Sequence, residues 1–193
     1  MDAPFIVGIG GTTRANSSTE KALRFALGVC EKEGAKTRIF DGPTLEALPH
    51  YAPERPERCD EARDLVNACR SAAGLIVATP GYHGTISGMV KNALDYTEDM
   101  REDPAPYFTG RAVGCIATGA GWQGTVSAME ALRSVVHALR GWPTPLGAAI
   151  NTSQPVFSPD GDPIDERVEF QLTTLAQEVL WFVRRREPDH PGA

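Results

Sequence analysis

Phe5-Ile6-Val7-Gly8-Ile9-Gly10-Gly11-Thr12-Thr13-Arg14-Ala15-Asn16-Ser17-Ser18-Thr19 is the stretch whose reading decides the fold. The apolar run from Phe5 to Ile9 predicts a buried parallel strand. It stops at Gly10 and Gly11, after which nearly every residue is small or hydroxylated, and a helix opens. Strand, small-residue loop and helix in that order bring free backbone N–H groups and the positive end of a helix to one point, which suits a phosphate. The hydroxyls of Thr12, Thr13, Ser17, Ser18 and Thr19 add donors and Arg14 adds a cation, with Gly11 and Asn16 completing the loop.

Three phosphate cradles compete for this stretch. The P-loop spacing, four residues between glycines followed by Gly-Lys-Ser/Thr, is absent, which argues against hydrolysis of ATP or GTP. A dinucleotide fingerprint would begin at Gly8 and Gly10 but meets Thr13 where its third glycine belongs, and Asp41 lies beyond the position of the ribose-binding acid. A hydroxyl-rich loop that holds a mononucleotide phosphate with Ser/Thr side chains and backbone amides accounts for the composition best. The bland alternative is a capping box of Ser17 and Glu20, which satisfies helix-end donors without any ligand but leaves Arg14 and the excess of hydroxyls unexplained.

A length of 193 residues fits one domain spanning 1–193, with a flexible tail expected from about residue 187. The net charge of −6 argues against a nucleic-acid surface, which needs clustered Lys and Arg, and favours small-molecule partners. Cys30, Cys59, Cys69 and Cys115 show no C-x-x-C spacing and read as reduced thiols, with neither a disulfide framework nor a metal site expected. No basic region precedes the first apolar run, and no stretch reaches the roughly 18 apolar residues of a membrane span, so a cytoplasmic protein with no membrane partner is expected.

Outward from the first loop, apolar periodicity predicts a helix over 17–33 stopped by Gly34, and a second strand over 37–40. A polar excursion through Pro56 follows, then a helix over 57–72 and a central strand over 74–79. Pro80-Gly81-Tyr82-His83-Gly84-Thr85 is expected to break the backbone into a ligand loop before a helix carrying Ile86, Met89, Val90, Ala93 and Leu94. Residues 98–110 predict a mobile, charged connection whose acids are solvated. A fourth strand over 111–117 enters Thr118-Gly119-Ala120-Gly121-Trp122-Gln123-Gly124, a third small-residue loop, before a helix with Met129, Leu132, Val136 and Leu139. A fifth strand over 144–150 leads to a last helix, with Asp162 as its N-cap and Pro163 in its first turn, ended by Arg184, Arg185 and Arg186, which complement its dipole.

Five strands alternating with helices predict an α/β fold: a flavodoxin-like three-layer sandwich with a parallel sheet of order 2-1-3-4-5 and helices on both faces. The loops after strands 1, 3 and 4 then meet at the carboxyl ends where the winding reverses. There the first supplies phosphate donors, and the other two supply small residues with Tyr82, His83 and Trp122, as a flat heteroaromatic ring requires.

Gly11-Thr12-Thr13-Arg14-Ala15-Asn16-Ser17, followed by Pro80-Gly81-Tyr82-His83-Gly84-Thr85-Ile86-Ser87-Gly88 and Lys91-Asn92-Ala93-Leu94-Asp95, resembles the NADPH-dependent FMN reductase family, from the first strand through the fourth helix. In that family the first motif, Gly-Ser-x-Arg-x-x-Ser, binds the FMN phosphate, and Thr12, Arg14 and Ser17 stand at its positions. The second, Pro-x-Tyr-x-x-x-x-x-Gly with Leu-Lys-Asn-Ala-Leu-Asp, flanks the isoalloxazine ring, and Pro80, Tyr82 and Gly88 match it, with Val90 for Leu. Gly81 and His83 stand where many members carry Glu and Asn, which leaves polar contacts there and the electron acceptor open.

The resemblance implies FMN and NADPH or NADH as cofactors, hydride transfer from nicotinamide to flavin N5, a homodimer or homotetramer, and delivery of reduced FMN to a partner flavin-dependent monooxygenase. No side-chain base is obligatory: the backbone of Tyr82, His83, Gly84 and Thr85 would serve N5, and that of Gly119 to Gly124 the charge built near N1 and O2. An FMN-containing quinone, azo or metal-oxyanion reductase is the second reading, and a flavodoxin-like electron carrier is the reading from a different class. The apolar faces of the helices after strands 3 and 5 are expected to be available to a second subunit.

Overall fold

A computed structural model describes residues 3–186. In chain order the elements are β1 (Phe5–Gly10), α1 (Ser18–Lys32), β2 (Lys36–Phe40), α2 (Gly42–Glu46), α3 (Asp60–Ser71), β3 (Gly74–Tyr82), β4 (Thr85–Ile86), α4 (Gly88–Asp95), a 3-10 turn (Tyr96–Met100), β5 (Ala112–Gly119), α5 (Trp122–Ala138), β6 (Trp142–Pro143), β7 (Ala148–Asn151) and α6 (Glu166–Arg185). The sheet runs β2-β1-β3-β5-β6, with β7 beside β5 as well, and all these neighbours are parallel. This is the doubly wound order 2-1-3-4-5, its reversal lying between β1 and β3.

Alternation along the buried strands feeds two cores. Val7, Ile9, Leu75, Val77, Val113 and Cys115 face α3, α4 and α5, while Ile6, Ile76, Ala78, Ala112 and Ile116 face α1 and α6. The α1–α6 layer sits close because two strand residues lack side chains. A Cβ on Gly8 would lie 2.6 Å from Leu27 Cδ1, and one on Gly114 would lie 2.4 Å from Leu175 Cδ2. Cys30, Cys69 and Cys115 lie in these cores, and burial pushes each thiol up to about 12, with Glu33 and Glu31 adding to the effect at Cys30. Only Cys59 is partly accessible among the four free cysteines. In native protein at pH 8 a thiol-exchange reagent is therefore expected to titrate Cys59 alone, with the other three reacting only after denaturant is added. Rapid labelling of more than one thiol in the folded protein would contradict this packing.

Several expectations are corrected. The strand after α3 does not end at Thr79: β3 runs on through Pro80 to Tyr82 and turns at His83 and Gly84 into β4, which pairs back antiparallel. His83 (φ 51°) and Gly84 (φ 81°) are both left-handed, as a two-residue hairpin turn of the primed type needs. Because histidine and asparagine tolerate this region better than β-branched residues, His83→Asn is expected to leave the melting temperature nearly unchanged. His83→Val is expected to cost about 1–2 kcal/mol.

The fifth strand is two short pieces flanking Thr144–Gly147, since Pro143 and Pro145 cannot donate to a ladder. Leu146 N–H instead meets Glu178 Oε2 at 2.9 Å. The last helix starts at Glu166 with Asp165 as its N-cap, three residues later than expected. Asp162 and Pro163 instead belong to a closed turn in which Ser158 N–H donates to the Asp162 carbonyl (2.8 Å) and Ile164 N–H to that of Val156 (2.9 Å).

The polar excursion after β2 contains α2 and buries Leu45 and Leu48. Residues 98–110 are pinned rather than mobile: Asp99 accepts two bonds from Arg58 (2.8 and 2.9 Å), Asp103 pairs with Arg70 (2.7 Å), and Phe108 is fully buried. Arg111, expected to begin a strand, is buried below it and donates to the carbonyls of Ala72, Tyr107 and Arg70, so it caps the negative end of α3. The apolar faces of α4 and α6 expected to be free are used inside the cores, and α6 leaves Phe170 and Trp181 exposed instead. Arg184 bonds Glu33 at the end of α1, and the tail from residue 187 lies outside the described residues.

Candidate functional site

The loops after β1, β3 and β5 meet in one cleft of about 550 Å³. It is lined by Thr12, Thr13, Arg14, Ser17, Ser18, Thr19, Pro80, Gly81, Tyr82, Thr118, Gly119, Ala120 and Thr152. Among the described residues no acidic side chain lines it.

Local chemistry shapes the β1–α1 loop. Gly10 (φ 152°) lets the chain cross β3 closely: a Cβ there would stand 2.1 Å from the Ala78 carbonyl oxygen. Thr12 Oγ1 both accepts from Arg14 N–H (3.2 Å) and donates to the Arg14 carbonyl (3.1 Å), curling the loop on itself. Asn16 takes the left-handed conformation (φ 55°) that delivers the chain to the Ser17 cap.

Ser17 Oγ accepts from Glu20 N–H (3.2 Å), so half of the capping box is present. The Glu20 carboxylate, however, pairs with Arg24 (2.8 Å), which also reaches Asp41 (2.8 Å), the N-cap of α2. Asp41 is thus committed to holding α2 against α1, and it supports the loop from behind. The first helical N–H groups, those of Ser18 and Thr19, have no carbonyl four residues back within α1 and belong to residues that line the cleft. Arg14 makes no ion pair among the described residues. A loop of hydroxyls, two free helix-end donors and an uncommitted guanidinium is the donor set a phosphate dianion needs.

Opposite this cradle, Pro80, Gly81 and Tyr82 form one wall and Gly119 and Ala120 another. Gly81 is pressed against α5, where a Cβ would sit 2.8 Å from the Gly124 carbonyl oxygen. In the hairpin, Tyr82 opposes Thr85 as the closing pair, and such a pair exchanges its own N–H and C=O groups. The N–H groups of His83 and Gly84 are therefore left for other acceptors. The first N–H groups of α5 begin at Gly121, which offers no side-chain cap.

The remaining expected residues lie off the lining. Gly11 is buried against Gly42, and Asn16 faces a separate groove with Lys21 and Arg24. His83, Gly84 and Thr85 form the exposed hairpin tip. Gly121 is the cap of α5, while Trp122, Gln123 and Gly124 are its first turn rather than a loop, with Trp122 exposed. Thr152 was not read from the sequence. It follows β7, and its N–H donates to the Gly119 carbonyl (2.8 Å). The rule that placed the other loops, that ligands gather at strand carboxyl ends, reaches Thr152 once it is applied to the fifth strand as well.

A doubly wound flavodoxin-like sheet with a loop of hydroxyls, helix-end donors and an arginine at its switch point, and a small-residue wall beside it, has the architecture of a mononucleotide-binding protein. Residues 4–154 match the model of the family described as NADPH-dependent FMN reductase, and the chain belongs to that family of NAD(P)H:FMN oxidoreductases. It is 28% identical over 183 residues to an NAD(P)H-dependent FMN reductase of Pseudomonas aeruginosa, covering 93% of this chain and 95% of that protein. It is also 28% identical over 186 residues to an FMN-dependent NADPH-azoreductase of Staphylococcus aureus, with the same coverage of 93% and 95%. Among solved structures, the flavoenzyme NAD(P)H:(acceptor) oxidoreductase FerB of Paracoccus denitrificans shares the fold. The TM-score is 0.78 at 19% identity, over 94% of this chain and 98% of that one.

Proposed function

We propose that the protein uses NADPH or NADH to reduce FMN held in the cleft formed by the loops after β1, β3 and β5, and that it hands the reduced flavin to a partner monooxygenase. The observation that carries this reading is the convergence of Thr12 to Arg14, Ser17 to Thr19, Pro80 to Tyr82 and Thr118 to Ala120 on one cleft that, among the described residues, contains an arginine in no ion pair and no acid. The residues fit FMN: the cradle matches its phosphate, and the walls of proline, glycine and alanine match a planar ring. When bound, FMN supplies the atom that accepts the nicotinamide hydride.

The chain's own part is placement and charge. Arg14, Ser18 and the α1 N-terminus hold the phosphate, and the backbone walls restrict the ring so that a nicotinamide can approach one face to about 3–3.5 Å. The His83 and Gly84 N–H groups, on the hairpin tip next to Tyr82, would offer hydrogen bonds to the ring edge without a side-chain acid. The N-terminus of α5, which has no side-chain cap, would lend its dipole and backbone N–H groups to negative charge on a reduced ring. We place the protein in the cytoplasm as a homodimer or homotetramer.

A second reading, reduction of azo dyes, quinones or metal oxyanions by retained FMN, draws on the Staphylococcus aureus relative and on the openness of the rim at Tyr82 and Trp122. One assay separates the two. Consumption of NADPH and NADH is followed with free FMN, with FAD and with a quinone, and flavin is measured in the purified protein. Turnover that requires added FMN supports delivery, whereas stoichiometric bound flavin with quinone or azo turnover supports the second reading. No response of the FMN spectrum or fluorescence to the protein would overturn both.

A further inference from the structure

Thr19 Oγ1 and Thr118 Oγ1 lie 2.6 Å apart, one on the first turn of α1 and the other near the end of β5, with the two residues 2% and 4% exposed. Each hydroxyl carries one proton, and one of the two is used in the bond between them. No other hydrogen bond of either hydroxyl is present among the described residues, so the second proton needs an acceptor, and both residues line the cleft. A buried hydroxyl proton without an acceptor is costly, and donation along a hydroxyl pair is reinforced by the first bond. We infer that Thr118 is a positioning residue: it fixes the Thr19 hydroxyl so that the pair donates its spare proton to an oxygen of the bound ligand, and it ties the phosphate loop to the ring wall. This rests on the reading of the cleft as an FMN site and deepens it, because it gives the β5 threonine, which approaches from the opposite wall, a role in the geometry of the cradle.

The test compares Thr118→Val and Thr118→Ser with the unaltered protein in fluorescence titrations with FMN and with riboflavin, alongside melting temperatures and NADPH turnover. Valine keeps the shape and removes the hydroxyl, whereas serine keeps the hydroxyl and removes a methyl group. Thr118→Val is expected to weaken FMN binding about tenfold, and Thr118→Ser to stay within about twofold of the unaltered protein. At subsaturating FMN, NADPH turnover should fall in Thr118→Val in step with the affinity and be recovered in Thr118→Ser. A loss confined to FMN places the acceptor on the phosphate, and an equal loss for riboflavin places it on the polyol chain; both support the pairing. Unchanged FMN affinity in Thr118→Val, or an equal loss in both variants, would overturn it while leaving the cleft's assignment intact. Absence of FMN binding by the unaltered protein would instead remove the assignment and the pairing together.

Discussion

Replacing Arg14 by alanine is expected to weaken FMN binding by about one to two orders of magnitude, with little change in melting temperature. Among the described residues the guanidinium is the one cation on the cleft lining, is exposed and takes part in no ion pair, so the fold does not depend on it. A dianion at the α1 N-terminus would lose its strongest charge-assisted partner while keeping the backbone donors and hydroxyls. Arg14→Lys should recover part of the affinity, because an ammonium supplies the charge without the two-pronged geometry. Riboflavin provides the control: its affinity should be nearly equal in all three proteins. Equal FMN affinity in Arg14→Ala and the unaltered protein would mean that the phosphate does not lie in this loop.

Gly42→Ala is expected to damage the same loop from behind, with the larger cost in stability. A Cβ on Gly42 would stand 1.9 Å from the Thr12 carbonyl oxygen and 2.7 Å from its carbon, and both neighbours are backbone, which cannot rotate aside. The Asp41 cap and its bond to Arg24 hold α2 in place, so the strain falls on Thr12. A loss of about 2–3 kcal/mol in stability is expected, together with weakened FMN binding, because Thr12 and Arg14 share the local hydrogen bonds that set the loop. Denaturant titration reads the first effect and flavin titration the second. Gly84→Ala makes a useful contrast. Nothing lies within 4 Å of the added atom, so only the left-handed backbone is penalised and FMN binding should be largely retained.

The strand order and the convergence of three loops were legible because the period of the apolar residues and the placement of small residues are local properties. Phe5 to Ile9 and Gly74 to Thr79 could only be buried strands, and right-handed crossovers then leave few arrangements. Where the expectations failed, longer-range partners decided. Pro80 reads as a breaker, yet β3 continues through it because the hairpin beyond, closed by His83 and Gly84 in the left-handed region, supplies strand partners on the other side. Asp162-Pro163 is a strong helix-start signal that was overruled by the Val156–Ile164 pairing, and the acids of residues 98–103 read as solvated until Arg58 and Arg70, some 30 to 40 residues earlier, were brought to them.

The amino-acid order alone determined the donor chemistry of the first loop. The phosphate affinity proposed for it would arise from donors, a cation and a helix start that are contiguous between Gly10 and Glu20. Only the tertiary structure decided which of these polar groups are free to use. The Asp41 carboxylate is taken by Arg24, the Ser17 oxygen accepts from its own helix, and Thr19 is paired with a threonine 99 positions away in a bond that leaves one hydroxyl proton to donate, while Thr152 enters the lining from the far edge. Hydroxyls and charges are satisfied by whatever lies within about 3 Å, and for buried groups that neighbour is set by how the layers pack rather than by the residues adjacent in the chain.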